Sequence, residues 1–285
     1  MIDFEKKQTK PGNPRVSILP RKGKKQLVLR IDKRQKFVIG VLMLSTGLFL
    51  AQFQFGNSGF IISGVLSLLT AVFLYWAIYK DIKGNFSLQY FILPVLYSLA
   101  FGLFYFLVPA RIMSRVILTS LYAFGLYSLF LSQNIFAVAS IRTIALLSGA
   151  RIVSFVITLI SYFFLVNIIY SLHLFVFSTM GLIFLCTYPL VFQSIWTYAL
   201  QKPTKQNLLW VLALTICLLE LSVILWFWPS NPTVIALFLT GFFYTIVGLS
   251  HVWFEKRLFR GVLWEYVWVG VVVFFVLLLF SSWGK

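Results

Sequence analysis

The chain of 285 residues is 60% hydrophobic and 19% aromatic, and its mean hydropathy is +0.94. Soluble domains are about half apolar, so this composition excludes an ordinary water-soluble globular protein and indicates a membrane protein. The 24 lysines and arginines against 7 acidic residues give a formal net charge of +17. In a soluble protein this charge would suggest nucleic-acid binding. In a membrane protein it reports orientation instead, and we expect no nucleic-acid partner.

Residues 1–35 form a basic tail, and residues 36–285 form a helical transmembrane domain. Twelve of the cations lie between Lys6 and Lys36. Residues 16–19 and 26–31 are two apolar segments around a basic, glycine-containing turn, a pattern that predicts a short β-hairpin. The cations of the tail are expected to attract anionic lipid headgroups at the membrane surface.

Nine apolar stretches of about 18 to 25 residues follow the tail, and each is long enough to cross a hydrocarbon core of about 30 Å. The predicted spans are 37–55, 59–79, 87–108, 112–131, 149–170, 174–192, 208–228, 233–253 and 262–283. The connections between them are short, so neighbouring spans are antiparallel. The predicted fold class is therefore all-α, a polytopic helical transmembrane bundle.

The lysines and arginines predict the orientation of this bundle. With the N-terminus inside, 21 cations fall on the cytoplasmic side and 3 on the other. This asymmetry predicts an internal N-terminus, an external C-terminus and a location in the plasma (cytoplasmic) membrane. Trp226 and Trp228 fall near the outer end of the seventh span, where indole rings are expected at the headgroup level.

The segment 132–148 is too polar to span a membrane alone. An interfacial helix, a re-entrant segment and part of a span all remain open. Its apolar residues recur near helical spacing at Ile135, Val138, Ile141 and Leu146. This spacing favours an amphipathic helix on the cytoplasmic surface.

Glu220 lies about 12 residues, or roughly 18 Å, into the seventh predicted span and so near the bilayer midplane. Ionisable residues inside a membrane usually mark ion, proton or substrate pathways, which makes Glu220 a candidate functional residue. The alternative is a structural carboxyl that joins two helices by a hydrogen bond.

Four arginines are further candidates. Arg111 and Arg115 share one helical face at the outer end of the fourth span, where both can extend to lipid headgroups. A sharper hypothesis turns Arg115 inward, to compensate Glu220 or to hold an anionic group. Arg142 and Arg151 are candidate contacts for anionic lipid or phosphate.

The spans contain no recognisable catalytic or metal-binding motif, and we expect neither a cofactor nor a metal. Single amides such as Asn167 and Gln193 are interpreted as helix-packing groups. Three functions stay open. They are a small-solute or lipid transporter, a membrane-embedded enzyme acting on a lipid or isoprenoid carrier, and a scaffold or assembly subunit that binds other membrane proteins.

Overall fold

The computed structural model describes residues 32–54, 59–82, 87–108, 111–139, 145–200 and 204–281. The regular secondary structure of these residues is entirely helical. The helices are α1 (Lys33–Gln54), α2 (Gly59–Ile82), α3 (Gln89–Leu107), α4 (Ile112–Ala139), α5 (Leu147–Ser171), α6 (Val176–Ala199), α7 (Lys205–Trp226), α8 (Pro232–Phe254) and α9 (Arg260–Leu279). The hairpin predicted at 16–31 and the candidate residue Arg142 lie outside the described ranges.

All nine described helices are long and apolar enough to cross a bilayer, which fits an integral membrane protein. The central helix is α5, which packs against α3, α4, α6 and α8. The inward-facing hydroxyl groups of Thr158 and Ser161 donate to carbonyl oxygens of their own helix at 2.8 Å. These small side chains therefore allow neighbouring helices to pack closely, and their hydroxyl groups stay hydrogen-bonded. At the other extreme, α9 is peripheral and packs on α8.

Buried hydroxyl groups join α2, α3 and α4. Thr70 and Ser98 share a hydrogen bond of 2.7 Å, and Ser98 shares another of 2.9 Å with Tyr122. The hydroxyl of Tyr97 donates to the carbonyl oxygens of Leu121 and Tyr122 at 3.1 and 3.2 Å. Because a bilayer core offers no water, these bonds satisfy groups that would otherwise be costly to bury.

The amphipathic surface helix favoured for 132–148 is wrong for residues 132–139, which form the last turns of α4. Ser132, Gln133, Phe136 and Ala137 are all buried. They share one face of the helix, and that face packs inside the bundle. Residues 132–139 can be more polar than a lipid-facing segment, because contacts between helices accommodate polar groups that lipid does not.

Local sequence signals set where α6 ends and where α7 and α8 begin. Leu200 adopts a left-handed conformation with φ of 48° and ends α6. The side chain of Thr204 then accepts a hydrogen bond from the backbone N–H of Asn207 and begins α7. Pro232 stands in the first turn of α8, where its missing N–H costs no helical hydrogen bond.

Gly125 of α4 gives a test of this packing. A Cβ atom at this position would lie 2.7 Å from Cζ of Tyr97, whose ring is held by the two carbonyl oxygens and has no room to move. Overpacking of this kind costs about 1 to 3 kcal/mol, so Gly125→Ala should lower the free energy of unfolding by that amount in detergent micelles. Gly64→Ala is the control, because a Cβ there meets no atom within 4 Å. Equal stability of the two variants would contradict the packing described here.

Candidate functional site

A cleft of about 200 Å³ opens at the end of the bundle where α5 joins α6 and α7 joins α8. Its walls combine aromatic, aliphatic and polar side chains and include Tyr170, Trp226 and Trp228, with His173 and Ser230 at the same end. Ser230 Oγ is buried and has no hydrogen-bond partner among the described residues. The two tryptophans therefore line a cleft at this end of the bundle. We call this feature the Trp226 cleft.

Hydrogen bonds between α5, α7 and α8 form the base of the Trp226 cleft. The hydroxyl of Tyr170 donates to the carbonyl oxygen of Ser222 at 2.8 Å and lies 2.9 Å from its Oγ. Asn167 Nδ2 donates to Thr233 Oγ1 at 3.1 Å, which confirms the helix-packing interpretation of that amide. These bonds hold three helices in register directly beneath the opening.

Further into the bundle, several polar groups are fully buried without a hydrogen-bond partner in the described part of the chain. They include the side-chain oxygen and nitrogen of the Gln133 amide on α4 and of the Gln193 amide on α6, and both residues have 0% exposure. The hydroxyls of Tyr162 on α5 and Thr187 on α6 interact with each other, so each has a polar neighbour.

The two glutamines are neighbours in sequence of one aromatic cluster formed by α3, α4 and α6. Each lies one helical turn before an aromatic residue, Phe136 on α4 and Trp196 on α6, and the rings of these two residues are 6.4 Å apart. The ring of Tyr90 on α3 contacts Trp196 edge to face at 5.0 Å. Gln193 therefore does not act as the simple packing amide that the sequence suggested, because it bonds to no neighbouring helix in the described residues.

The opposite end of the bundle from the Trp226 cleft is held by a cluster around Arg151 of α5. Its Nε donates to the carbonyl oxygen of Thr197 at 3.1 Å, and its Nη2 donates to that of Tyr198 at 3.4 Å. The guanidinium also stacks 4.7 Å from the centre of the Tyr198 ring and lies 3.7 Å from a carboxylate oxygen of Glu255. We call these residues and His251 the Arg151 cluster.

His251 completes the Arg151 cluster from α8. Its Nε2 shares a hydrogen bond of 3.0 Å with Ser194 Oγ, and its ring stacks on Tyr198 with centres 4.1 Å apart. Phe155 covers the ring edge at 4.8 Å. The imidazole is thus 5% exposed and joins α5, α6 and α8 by aromatic and hydrogen-bond contacts.

The Arg151 cluster changes the interpretation of Arg151 as a phosphate contact. The guanidinium binds the last carbonyl oxygens of α6, groups that no helical N–H can reach. It also pairs with Glu255, whose second oxygen lies 3.9 Å from Arg257. Its donors are directed into the protein, and its side chain is only 18% exposed. The geometry therefore favours a role in closing this end of the bundle.

The structure does not bring Glu220 and Arg115 together. Glu220 lies on the exposed side of α7, which packs against α6 and α8. Arg115 lies in the first turns of α4, half-buried near the Tyr105 hydroxyl of α3. Arg111 is exposed just before α4 begins. The hypothesis that Arg115 compensates Glu220 within one chain is therefore wrong.

The sequence model described as "Protein of unknown function (DUF5656)" matches residues 38–280, a range that begins within α1 and ends just after α9. The chain belongs to this family. The comparison with curated proteins and the comparison with solved structures each found no match. Membership in DUF5656 therefore establishes kinship across the whole helical domain but supplies no activity, and any functional argument depends on the site geometry.

Sequence reasoning missed several residues that the structure of this DUF5656 member brings together. Glu255 and Ser194 belong to no recognisable sequence motif, and their roles depend on the approach of α8 to α5 and α6. Gln133 was assigned to a surface helix rather than to a span. The available signal was the spacing of Gln133 from Phe136 and of Gln193 from Trp196, which places each amide on an aromatic, inward-facing stripe.

The contacts of Arg151 predict a graded loss of stability. Hydrogen bonds to charged groups contribute about 1.5 to 3 kcal/mol, so Arg151→Gln should lower the free energy of unfolding by about 2 to 3 kcal/mol. Glu255→Gln should cost less than about 1 kcal/mol, because that carboxylate is 34% exposed and its ion pairs are long. Arg257→Gln, at a side chain 76% exposed, serves as the control. Denaturant unfolding followed by tryptophan fluorescence measures all three, and a larger loss for Glu255→Gln than for Arg151→Gln would contradict this ranking.

Proposed function

We propose that this protein is an integral transport protein of the plasma membrane that moves a small, uncharged polar solute through the interior of the bundle. The charge asymmetry of the sequence supports a cytoplasmic N-terminus and an external C-terminus. In this orientation the Trp226 cleft opens to the outside and the Arg151 cluster closes the cytoplasmic end. The many lysines and arginines before the first span would attract anionic lipid headgroups on the cytoplasmic side.

The observation that carries this proposal is the set of buried polar atoms without partners. Native proteins pair more than about 90% of their buried polar groups, and unpaired ones call for a bound molecule or a functional reason. Here the amides of Gln133 on α4 and Gln193 on α6 are fully buried and have no hydrogen-bond partner among the described residues. Water or a solute with several hydrogen-bonding groups would satisfy them.

The chemistry of these groups favours an uncharged solute. Amides and hydroxyls both donate and accept hydrogen bonds, but they carry no net charge to compensate an ion. Glu220, a carboxyl well inside a span, lies on the exposed side of α7 and therefore outside this interior. A charged solute would lose its hydration inside the described part of the bundle without meeting an opposite charge.

The Trp226 cleft fits the role of an external entrance. Pockets for drug-sized ligands measure about 300 to 1,000 Å³, so a cleft of about 200 Å³ suits a smaller molecule. Aromatic rings bind the C–H faces of such a solute, and three of them, those of Tyr170, Trp226 and Trp228, line this cleft. The base of this cleft is the Tyr170–Ser222 pair.

The Arg151 cluster fits the role of a cytoplasmic gate. It joins α5, α6 and α8 at one end while the other end is open, as expected for one state of an alternating-access cycle. Exit of a solute toward the cytoplasm would require the Arg151 contacts to the last turn of α6 to separate. Because Arg151 is engaged within the protein, an enzyme acting on a phosphorylated lipid carrier is the weaker alternative. The third function, a scaffold, would use the outer helix faces to bind other membrane proteins.

Gln193→Leu tests the proposal. An unpaired buried amide costs stability, so the apolar replacement should leave the free energy of unfolding unchanged or raise it by about 1 to 3 kcal/mol. It should also abolish solute passage. We would reconstitute the protein in vesicles and follow swelling by stopped-flow light scattering under glycerol, urea and erythritol gradients, with Gln133→Leu as a second interior variant.

The exposed Gln206 of α7 provides the matched control, because Gln206→Leu changes the same atoms away from the interior. It should preserve both stability and swelling rate. A Gln193→Leu variant that is clearly destabilised, or that swells as fast as the wild-type protein, would show that the amide is structural and would overturn the proposal.

A further inference from the structure

The two faces of α7 carry the same residue spacing but meet different surroundings. Its buried face packs against α6 and α8 and consists of Val211, Thr215, Leu218, Ser222 and Leu225. The opposite face is exposed and consists of Leu209, Ala213, Ile216, Glu220, Val223 and Phe227, which we call the outer seam. Both series alternate steps of four and three residues, the spacing with which one helix packs against another at a shallow left-handed angle.

The outer seam is unpartnered over its whole length. Leu209 is 67% exposed near one end, and Phe227 is 70% exposed at the other. Lipid tails are as apolar as leucine side chains, so an exposed apolar helix face needs no protein partner in a membrane. The apolar residues of the seam alone therefore do not indicate association, and the argument depends on the polar member of the seam.

Glu220 is the residue that lipid does not accommodate. It lies six residues before the end of α7, roughly 9 Å along the helix and well inside the apolar span. A carboxyl group facing hydrocarbon is costly, and such groups are almost always paired or turned to a polar surface. A partner that supplies a hydrogen-bonding group at the same depth would remove this cost.

A second copy of the chain supplies such a group. A protonated carboxyl has both a donor and an acceptor, so two of them are complementary to each other. A two-fold axis along the membrane normal places identical residues of two helices opposite each other at equal depth. Exposed hydroxyls at comparable depth in the described spans, those of Thr46 and Ser120, already donate to carbonyl oxygens of their own helices.

We infer that two copies of this chain associate through the outer seam of α7, with the Glu220 carboxyl groups hydrogen-bonded to each other across the interface. Ala213, one step of seven residues before Glu220, lets the two backbones approach closely, as small residues do in membrane helix pairs. Phe227 extends the interface to the wall of the Trp226 cleft, because its ring contacts Trp226 edge to face at 5.0 Å. The dimer therefore places the clefts of both copies beside the two-fold axis.

Cysteine crosslinking tests the geometry of this interface. The chain has two cysteines, Cys186 and Cys217, so a cysteine-free background requires two substitutions to serine. In that background, Ile216→Cys places a thiol on the outer seam, and Val272→Cys places one on the similarly exposed face of α9. On oxidation in lipid vesicles, Ile216→Cys should form disulfide-linked dimers, and Val272→Cys should remain monomeric at the same protein-to-lipid ratio.

Two substitutions of Glu220 test the hydrogen bond itself. Glu220→Gln keeps a donor and an acceptor and should retain dimerisation. Glu220→Leu removes both and should weaken dimerisation roughly three- to thirty-fold, as measured by dilution in vesicles with fluorescence energy transfer between labelled copies. Because Glu220 is exposed, both variants should unfold at the wild-type temperature or above, and this measurement separates lost association from lost folding.

Three results would overturn the inference. The first is an Ile216→Cys variant that forms no more dimer than Val272→Cys. The second is a Glu220→Leu variant that dimerises as strongly as the wild-type protein. The third is crosslinking of Ile216→Cys to a different protein in native membranes while the purified chain stays monomeric in vesicles, which would assign the outer seam to another membrane protein instead of a second copy.

Discussion

The absence of water in a bilayer core is the constraint on which the rest of this structure depends. Each described helix satisfies its own backbone, and most buried hydroxyls donate to carbonyl oxygens of their own helix or bond to a neighbour. The Thr70, Ser98 and Tyr122 chain is an example of such a closed network. Against this background, the few polar groups without partners stand out, because each one costs stability that an apolar residue would not.

Two sets of polar groups carry the functional argument. Gln133 and Gln193 are enclosed between helices, whereas Glu220 lies on the outer surface of α7. An enclosed polar group is accessible only to molecules that enter the bundle, and an outer one only to molecules that lie beside it. The same physical argument therefore supports the proposed passage of a solute in the first place and the proposed association between copies in the second.

The two ends of the bundle also differ in construction. At one end, Arg151 joins three helices through carbonyl, carboxylate and aromatic contacts. A neutral side chain at this position could not make all of these contacts. At the other end, Trp226 and Tyr170 surround open space. Because α5 connects both ends and contacts four other helices, a shift of α5 changes both together. The outer faces of the peripheral helices α7 and α9 take no part in this coupling between the two ends through α5.

The sequence by itself determined the all-helical class, the number of spans within the described residues and most of their limits, because an apolar stretch long enough to cross a bilayer leaves the backbone few other options. It also singled out Glu220 and Arg151. Only the tertiary structure decided that Glu220 faces outward, that Arg151 binds the end of α6, and that residues 132–139 continue α4. Those outcomes depend on which face of each helix meets which neighbour, and in an apolar span all faces are similarly hydrophobic, so periodicity does not reveal them.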